Sequence, residues 1–425
     1  MRNYVYNYIA QYIYTFSRYF EKVVQLTPLS WDDLTLQKSL PNCSVGDFHA
    51  SPGAKVYLLN ANLNYSLNIQ DELKSFHGQM TRHDRLCLTL YNPYLVFVYK
   101  LANKLSLRKG ELPKVFITMH DLKNLVKLTN FELVTSQNLI NFPFKLLGLG
   151  HLLNKIMNLI PIINTFTLVN VSVLRPIKPS VSPSVTILIP ARNEEGNIEN
   201  ALKRIPDLGC AREVIFVEGN SSDNTWNEIN RVIALEEYKS KYTLKAYRQP
   251  GKGKYDAVRT GFSKASNELL IILDADLTMP PERLPQFYFA YTEGKADFIN
   301  GSRLVYPMEG DAMRFLNLLG NKFFAKALSW VLKLELGDSL CGTKVIHRDN
   351  YQRLVAWRKD FGDHDPFGDF DLLFSASVLK SSVVDIPVRY AARTYGETQI
   401  NRFRDGSILL RMTVLAFLKI KLKNI

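Results

Sequence analysis

Cysteine is scarce in this chain. Cys43, Cys87, Cys210 and Cys341 are scattered over 425 residues, with no CxxC pair and no metal-finger spacing. That argues against a disulfide scaffold or a zinc module and makes a reducing cytoplasm the default compartment. Long apolar runs are missing as well. The nearest candidate, "LLGLGHLLNKIMNLIPIINTF", is broken by His151, Asn154, Lys155, Asn158 and Pro161, so no transmembrane helix is expected. The aromatic start "MRNYVYNYIAQYIYTFSRYFEK" lacks the long apolar core and small-residue cleavage site of a signal peptide. Acids are in deficit: 40 Asp and Glu against 53 Lys and Arg give a formal charge of +13. Such a balance favours anionic partners, whether acidic lipid, phosphorylated substrate or nucleic acid. Glycine is absent between Phe20 and Leu40, and the first in the chain is Gly46.

What is present is ample core material. Hydrophobic residues make up 46% of the chain, enough for globular cores, and the length suggests two or three domains. The stretch "RPIKPSVSPSV" is rich in Pro and Ser without apolar periodicity and reads as a linker, narrowed to residues 177–183. After it, strand and helix patterns alternate. "SVTILIP", "EVIFVEG", "ASNELLIILDAD" and "ADFINGSRL" read as strands, and "NEEGNIENALKRI" and "SDNTWNEINRVIALEEY" as helices, the latter with Asp223 as a plausible N-cap. Such alternation implies a parallel sheet covered by helices on both faces, whose ligands bind at the carboxyl ends of strands. Pro190 and Ala191, Glu218 and Gly219, and Asp274 and Asp276 all fall at such ends. Two acids at the tip of a buried strand need a cation or strong donors. Pro280 and Pro281 are expected to stop that strand.

In order, "IPARNEEGNI", "FVEGNSSDNT", "GKGKYDAVRTGF", "DADLTMPPE", "GDSLCGTKVIHRD" and "RTYGETQI" resemble the motifs of family-2 glycosyltransferases with the GT-A fold, especially the polyprenyl-phosphate, dolichol-phosphate mannose synthase-like branch. The resemblance covers 184–398 and implies a mixed α/β sheet binding a nucleotide sugar. It implies a metal-dependent inverting transfer to a polyprenyl phosphate or glycan at the cytoplasmic membrane face, in the making of cell-envelope glycans. Donor contacts would come from Pro190, Ala191, Asn193, Glu194, Glu218, Asn220, Lys252, Lys254 and Asp274. Asp276 would ligate Mg²⁺ or Mn²⁺, with Asp274 on the metal or the ribose, because a divalent ion can neutralise the departing diphosphate. Asp369 or Asp371 occupies the place of the acceptor-side acid, though a phosphate acceptor needs no base. Gly342, Arg393 and Thr398 would face phosphate or acceptor. Three departures stand out: Glu218 and Gly219 replace paired aspartates, Thr278 replaces a glutamine, and Thr398 and Gln399 replace Ser and Lys. Arg259 could lie on a helix surface, and Asp363, His364 and Asp365 have a metal-like look in a loop typical of turns.

Residues 1–176 give a different signal. "AKVYLLNANLNYSLNIQDELKSFHGQM", "HDRLCLTLYNP", "ITMHDLKNLVKLTNFELVTSQ" and "FTLVNVSVLRP" resemble the later half of class I methyltransferases. The glycine loop that would approach S-adenosylmethionine is missing from "YFEKVVQLTPLSWDD". A degenerate Rossmann-like domain that packs or docks is therefore expected, without S-adenosylmethionine. Residues 399–425 carry Arg402, Arg404, Arg411, Lys419, Lys421 and Lys423 among apolar residues, which suits a helix lying on a membrane surface. Nucleotidyl transfer and a non-catalytic binding module for sugar nucleotides or nucleic acid are the competing classes. No nucleic-acid motif is recognised.

Overall fold

The computed structural model describes residues 2–26, 31–48, 53–108, 111–307, 315–365, 367–393, 395 and 402–422. It divides into two compact units. The first is Met1–Lys178 with Val378–Lys380 and Leu422–Ile425; the second is Pro179–Ser377 with Ser381–Lys421.

The first unit is built on six strands: β1 Lys22–Leu26, β2 Cys43–Gly46, β3 Lys55–Asn60, β4 Arg85–Tyr91, β5 Phe131–Leu139 and β6 Val169–Pro176. Their order is β2-β1-β3-β4-β6-β5, with β2, β1, β3 and β4 mutually parallel and β6 antiparallel to both its neighbours. The central strands β1, β3 and β4 bury both faces, so alternate residues serve two cores. Val23, Val56, Leu58 and Cys87 pack with Ile9, Ile13 and Phe16 of helix Arg2–Ser17. Val24, Tyr57, Leu59, Leu86 and Leu88 pack on the other side with Leu73, Leu122 and Val126, from helices Ile69–Gln79 and Met119–Leu128. Thr118 and Asp121 close a capping box at the start of the latter helix. The expected first strand falls where "YFEKVVQL" put it.

The second unit has seven strands: β7 Val185–Ala191, β8 Arg212–Glu218, β9 Thr243–Arg248, β10 Leu269–Ile272, β11 Phe298–Ser302, β12 Lys344–His347 and β13 Val383–Pro387. The order is β13-β11-β12-β10-β7-β8-β9, and β12 runs antiparallel to β10 and β11. The sheet is therefore mixed, as the GT-A resemblance implies, rather than wholly parallel as alternation alone implies. Its central strands are fully buried apolar runs, Ile187 to Ile189, Val214 to Val217 and Leu269 to Ile272.

One local expectation is corrected and a second is refined. β10 ends at Ile272, well before the prolines. Pro280 is extended, and Pro281 opens a short 3₁₀ turn that leads into helix Leu284–Thr292, the favourable first-turn use of proline. The C-terminal helix is anchored along one side, while Leu410, Val414 and Leu418 stay exposed. Helix Arg402–Ala416 and its π-helical continuation Phe417–Lys421 pack within the second unit against Phe315–Leu332. Phe417 stacks on Trp330, Lys421 lies 3.9 Å from the centre of the Trp330 ring, and Lys419 donates to the Phe361 carbonyl. Two of the six cations expected to face lipid are thus engaged inside the fold. Among the described residues, no helix is long and apolar enough to cross a membrane.

Candidate active site

The loops at the carboxyl ends of β7, β8 and β9 are stapled to one another. Asn193 and Asn220 adopt left-handed backbone at φ 55 and 57, which asparagine tolerates. The Asn193 carboxamide oxygen accepts from Ser222 N, and the Glu194 amide donates to Thr225 Oγ1. Asn220 donates to the Gly251 carbonyl, and Gly251 N donates to Asp256. Glu218, buried at the end of β8, accepts from Ser221 N at 2.5 Å and lies 3.7 Å from Arg248. Three expected donor contacts, Asn193, Glu218 and Asn220, therefore already hold the loops, because loops with so few apolar anchors need polar staples. Asp223 accepts from Thr225 N and Thr225 Oγ1 as an N-cap would, although the cap position itself is Asn224. Lys252 is exposed in the Gly-flanked loop.

The acids after β10 meet cations. Asp274 Oδ1 lies 2.6 Å from Lys254 Nζ, at the start of helix Lys254–Lys264. Burial alone would favour the neutral carboxyl, but Lys254, and beyond it Lys344 and Arg303, hold Asp274 below the usual carboxylate range. Burial likewise opposes the Lys254 charge. Asp274, then Asp369 and Asp276, outweigh it and push the amine above the ordinary lysine range. Asp276 Oδ1 accepts from Thr278 N at 3.1 Å and Thr278 Oγ1 at 2.7 Å, while Oδ2 pairs with Arg393 at 2.6 Å. The chain beyond β13 brings Arg393 there: Val388 N donates to the Ser302 carbonyl and Ala391 N to that of Thr278. Thr278, in the place of a glutamine, thus orients Asp276. Glu194 is buried nearby; burial first, with Asp276 adding to it, raises its pKa to about 7 against the pull of Asn197.

Asp369 and Asp371 part company. Asp369 is buried 3.3 Å from Lys344, itself wholly buried on β12, and its field reaches Lys254. Asp371 is locked between Arg259 at 2.9 Å and Arg358 at 2.6 Å. These pairs place Asp371 at the centre of an ion network, a position less suited to a base than that of Asp369. Arg259 forks onto Asp363 as well and is no free surface residue. Asp365 accepts from Phe367 N and Asp371 N, and His364 lies by Lys419, so the Asp363 to Asp365 run does not converge on a metal. Gly342 lies beside the Asp274 and Lys254 pair. A Cβ there would collide with Asp274 Oδ2 and Lys254 Nζ, so this glycine makes room for that pair. Thr398 lies outside the described residues.

No cluster of three His, Cys, Asp or Glu able to hold a metal occurs among the described residues. The donor set nonetheless fits a hard divalent ion: two carboxylates at one strand end, with remaining positions left to phosphate and water, as Mg²⁺ and Mn²⁺ prefer. The sequence reading missed Lys344, Arg303 and Asp338. Arg303 is clamped by Asp338 at 2.7 and 3.0 Å and helps charge Asp274. A lysine inside the apolar run "TKVIH" was the one available signal.

A mixed α/β sheet thus carries paired acids, flanked by lysine and arginine, at its strand ends. Residues 186–355, within the second unit, match the model of Glycosyl transferase family 2. A dolichol-phosphate mannosyltransferase of Pyrococcus furiosus is 29% identical over 225 residues, which is 51% of this chain and 59% of that protein, so the match spans under two thirds of the relative's length. Among solved structures, Mycobacterium tuberculosis glucosyl-3-phosphoglycerate synthase aligns weakly. Its complex with Mn²⁺, uridine diphosphate and phosphoglyceric acid has a TM-score of 0.41 and 17% identity, over 56% of this chain and 79% of that one. The complex with glucosyl-3-phosphoglycerate, Mn²⁺ and uridine diphosphate gives 0.39 and 16%, over 55% and 80%.

Proposed function

We propose that the second unit moves a sugar, with inversion, from a nucleotide-sugar donor to a polyprenyl phosphate at the inner membrane face. The observation that supports this reading is the group of Asp274, Asp276 and Lys254 at the strand ends of the segment matching family 2, joined by Arg393 from the chain beyond it. Asp276, with Asp274 beside it, would hold Mg²⁺ or Mn²⁺, which supplies Lewis-acid neutralisation of the leaving diphosphate. Lys254 and Arg393 are the cations this chain itself offers to those phosphates. Asp369 serves the acceptor side. A phosphate acceptor is already an anion and needs no base, in which case Asp369 keeps Lys344 and Lys254 in position. The likeness to a dolichol-phosphate enzyme supports lipid phosphate over a glycan. The first unit is proposed to be non-catalytic and free of S-adenosylmethionine.

Purified protein should be incubated with a panel of nucleotide sugars and either a polyprenyl phosphate or a soluble glycan. Labelled sugar is expected on the lipid phosphate. Transfer to the glycan alone would overturn the acceptor assignment. No turnover of any donor, with or without metal, would overturn sugar transfer itself.

A further inference from the structure

The first unit holds a cavity of about 290 Å³ near the carboxyl ends of β3 and β4. Its wall is mostly apolar, from Val5 and Ile9 on the first helix, Leu90 on β4, Val98 and Ala102 on helix Val96–Lys104, and Val169. Val98, Leu107 and Phe144 line it and are also 41, 48 and 42% exposed, so they form its mouth. Around that mouth the apolar surface continues outward: Phe97, Leu101 and Leu105 on one side, Leu146, Leu147 and Leu149 on the other, all more than two fifths exposed. Leu147 stands fully in solvent on left-handed backbone at φ 52, an uncommon conformation for a bulky side chain. Patches of this kind mark interaction sites.

Charge decides between occupants. Apart from Asn60 and Ala61, every wall residue comes from residues 1–20, 85–110 or 133–193, and none of these stretches contains an Asp or Glu. They do contain Arg2, Lys100, Lys104, Arg108 and Lys145. Arg108 lines the cavity with its guanidinium held by the Tyr65 and Tyr91 hydroxyls and the Glu111 carbonyl. An apolar cavity with an apolar lip and with Arg2 and Arg108 as the charged residues of its wall is complementary to an amphiphile with an anionic head. We propose that the first unit is an anionic-lipid site: the lip rests on an acidic bilayer, one lipid chain enters the cavity, and the phosphate remains at the mouth among Arg108 and the neighbouring lysines. This stands on the cavity and its rim alone and does not need the sugar-transfer reading.

The test uses the full chain and phosphatidylglycerol or phosphatidylcholine vesicles. Wild type is expected to sediment with the former and to lose binding as salt rises. Leu101→Glu with Leu147→Glu, both at exposed positions, is expected to lower partitioning by about tenfold or more. Ala102→Trp, filling the cavity, is expected to abolish calorimetric binding of decyl phosphate, while inorganic phosphate binds neither form. If Ala102→Trp fails to fold, the rim variant decides. Undiminished sedimentation of the rim variant, equal binding to both vesicle types, or unchanged decyl phosphate binding in a folded Ala102→Trp protein would overturn the proposal. So would loss of self-association in place of vesicle binding, which would assign the lip to a protein partner. Donor turnover measured in parallel keeps failure here distinct from failure of the catalytic reading.

Discussion

Two acids at one helix start show how little identity says about role. Asp371 neutralises Arg259 and Arg358, whereas Asp369 faces Lys344 and the cleft. Asp371→Asn leaves two guanidinium groups poorly compensated in a largely buried site, so a loss of about 3 kcal/mol in denaturant unfolding is expected. Its turnover per folded molecule should stay near wild type. Asp369→Asn should lose on the order of tenfold or more in turnover, beyond any change in folded fraction. Equal turnover per folded molecule in the two variants would remove Asp369 from the site. Glu194 supplies a pH signature. Its pKa rises from the ordinary glutamate value to about 7 in the folded chain, so the folded state binds the extra proton. Stability therefore falls as pH climbs from the unfolded value through about 7 and stays low above it. Glu194→Gln should raise the melting temperature relative to wild type at pH 8, by about 2–5 °C, and change it little at pH 4.5. An equal effect at both pH values would refute a buried, hard-to-ionise Glu194.

At the scale of elements, the strand ends were legible and their company was not. Apolar runs such as "LLII" fix a buried strand, and acids just beyond one can be read as a site. Strand direction leaves no mark on periodicity, so the reversal of β12 was invisible. The half-buried, half-polar β9 and β13 gave no pattern to find. Partners 112 residues apart, as Arg259 and Asp371 are, cannot be paired by inspection. The C-terminal helix shows the same limit: its basic, apolar composition suits a lipid surface, yet Leu409, Met412, Ala416 and Ile420 are buried. Burying such side chains stabilises by roughly 1.5–3 kcal/mol for each of the larger ones. Deleting residues 406–425 is therefore expected to lower the unfolding midpoint sharply and cause aggregation in sedimentation velocity. A monomeric truncated protein with an unchanged midpoint would return the helix to the surface.

The whole molecule joins a family-2 domain to a second α/β unit whose first strand is followed by no glycine loop. That loss leaves no close backbone approach for the cofactor, so titration calorimetry with S-adenosylmethionine should give no binding; micromolar affinity would contradict a non-catalytic first unit. The central claim concerns the acids beyond β10. Its most direct test is donor turnover against Mn²⁺ concentration for wild type and Asp276→Asn, a change that keeps an oxygen for Thr278 and should leave the fold intact. Wild type should require the metal, and the variant should lose about a hundredfold or more at limiting and at saturating Mn²⁺. Near-normal turnover of the variant at both concentrations would contradict the assignment.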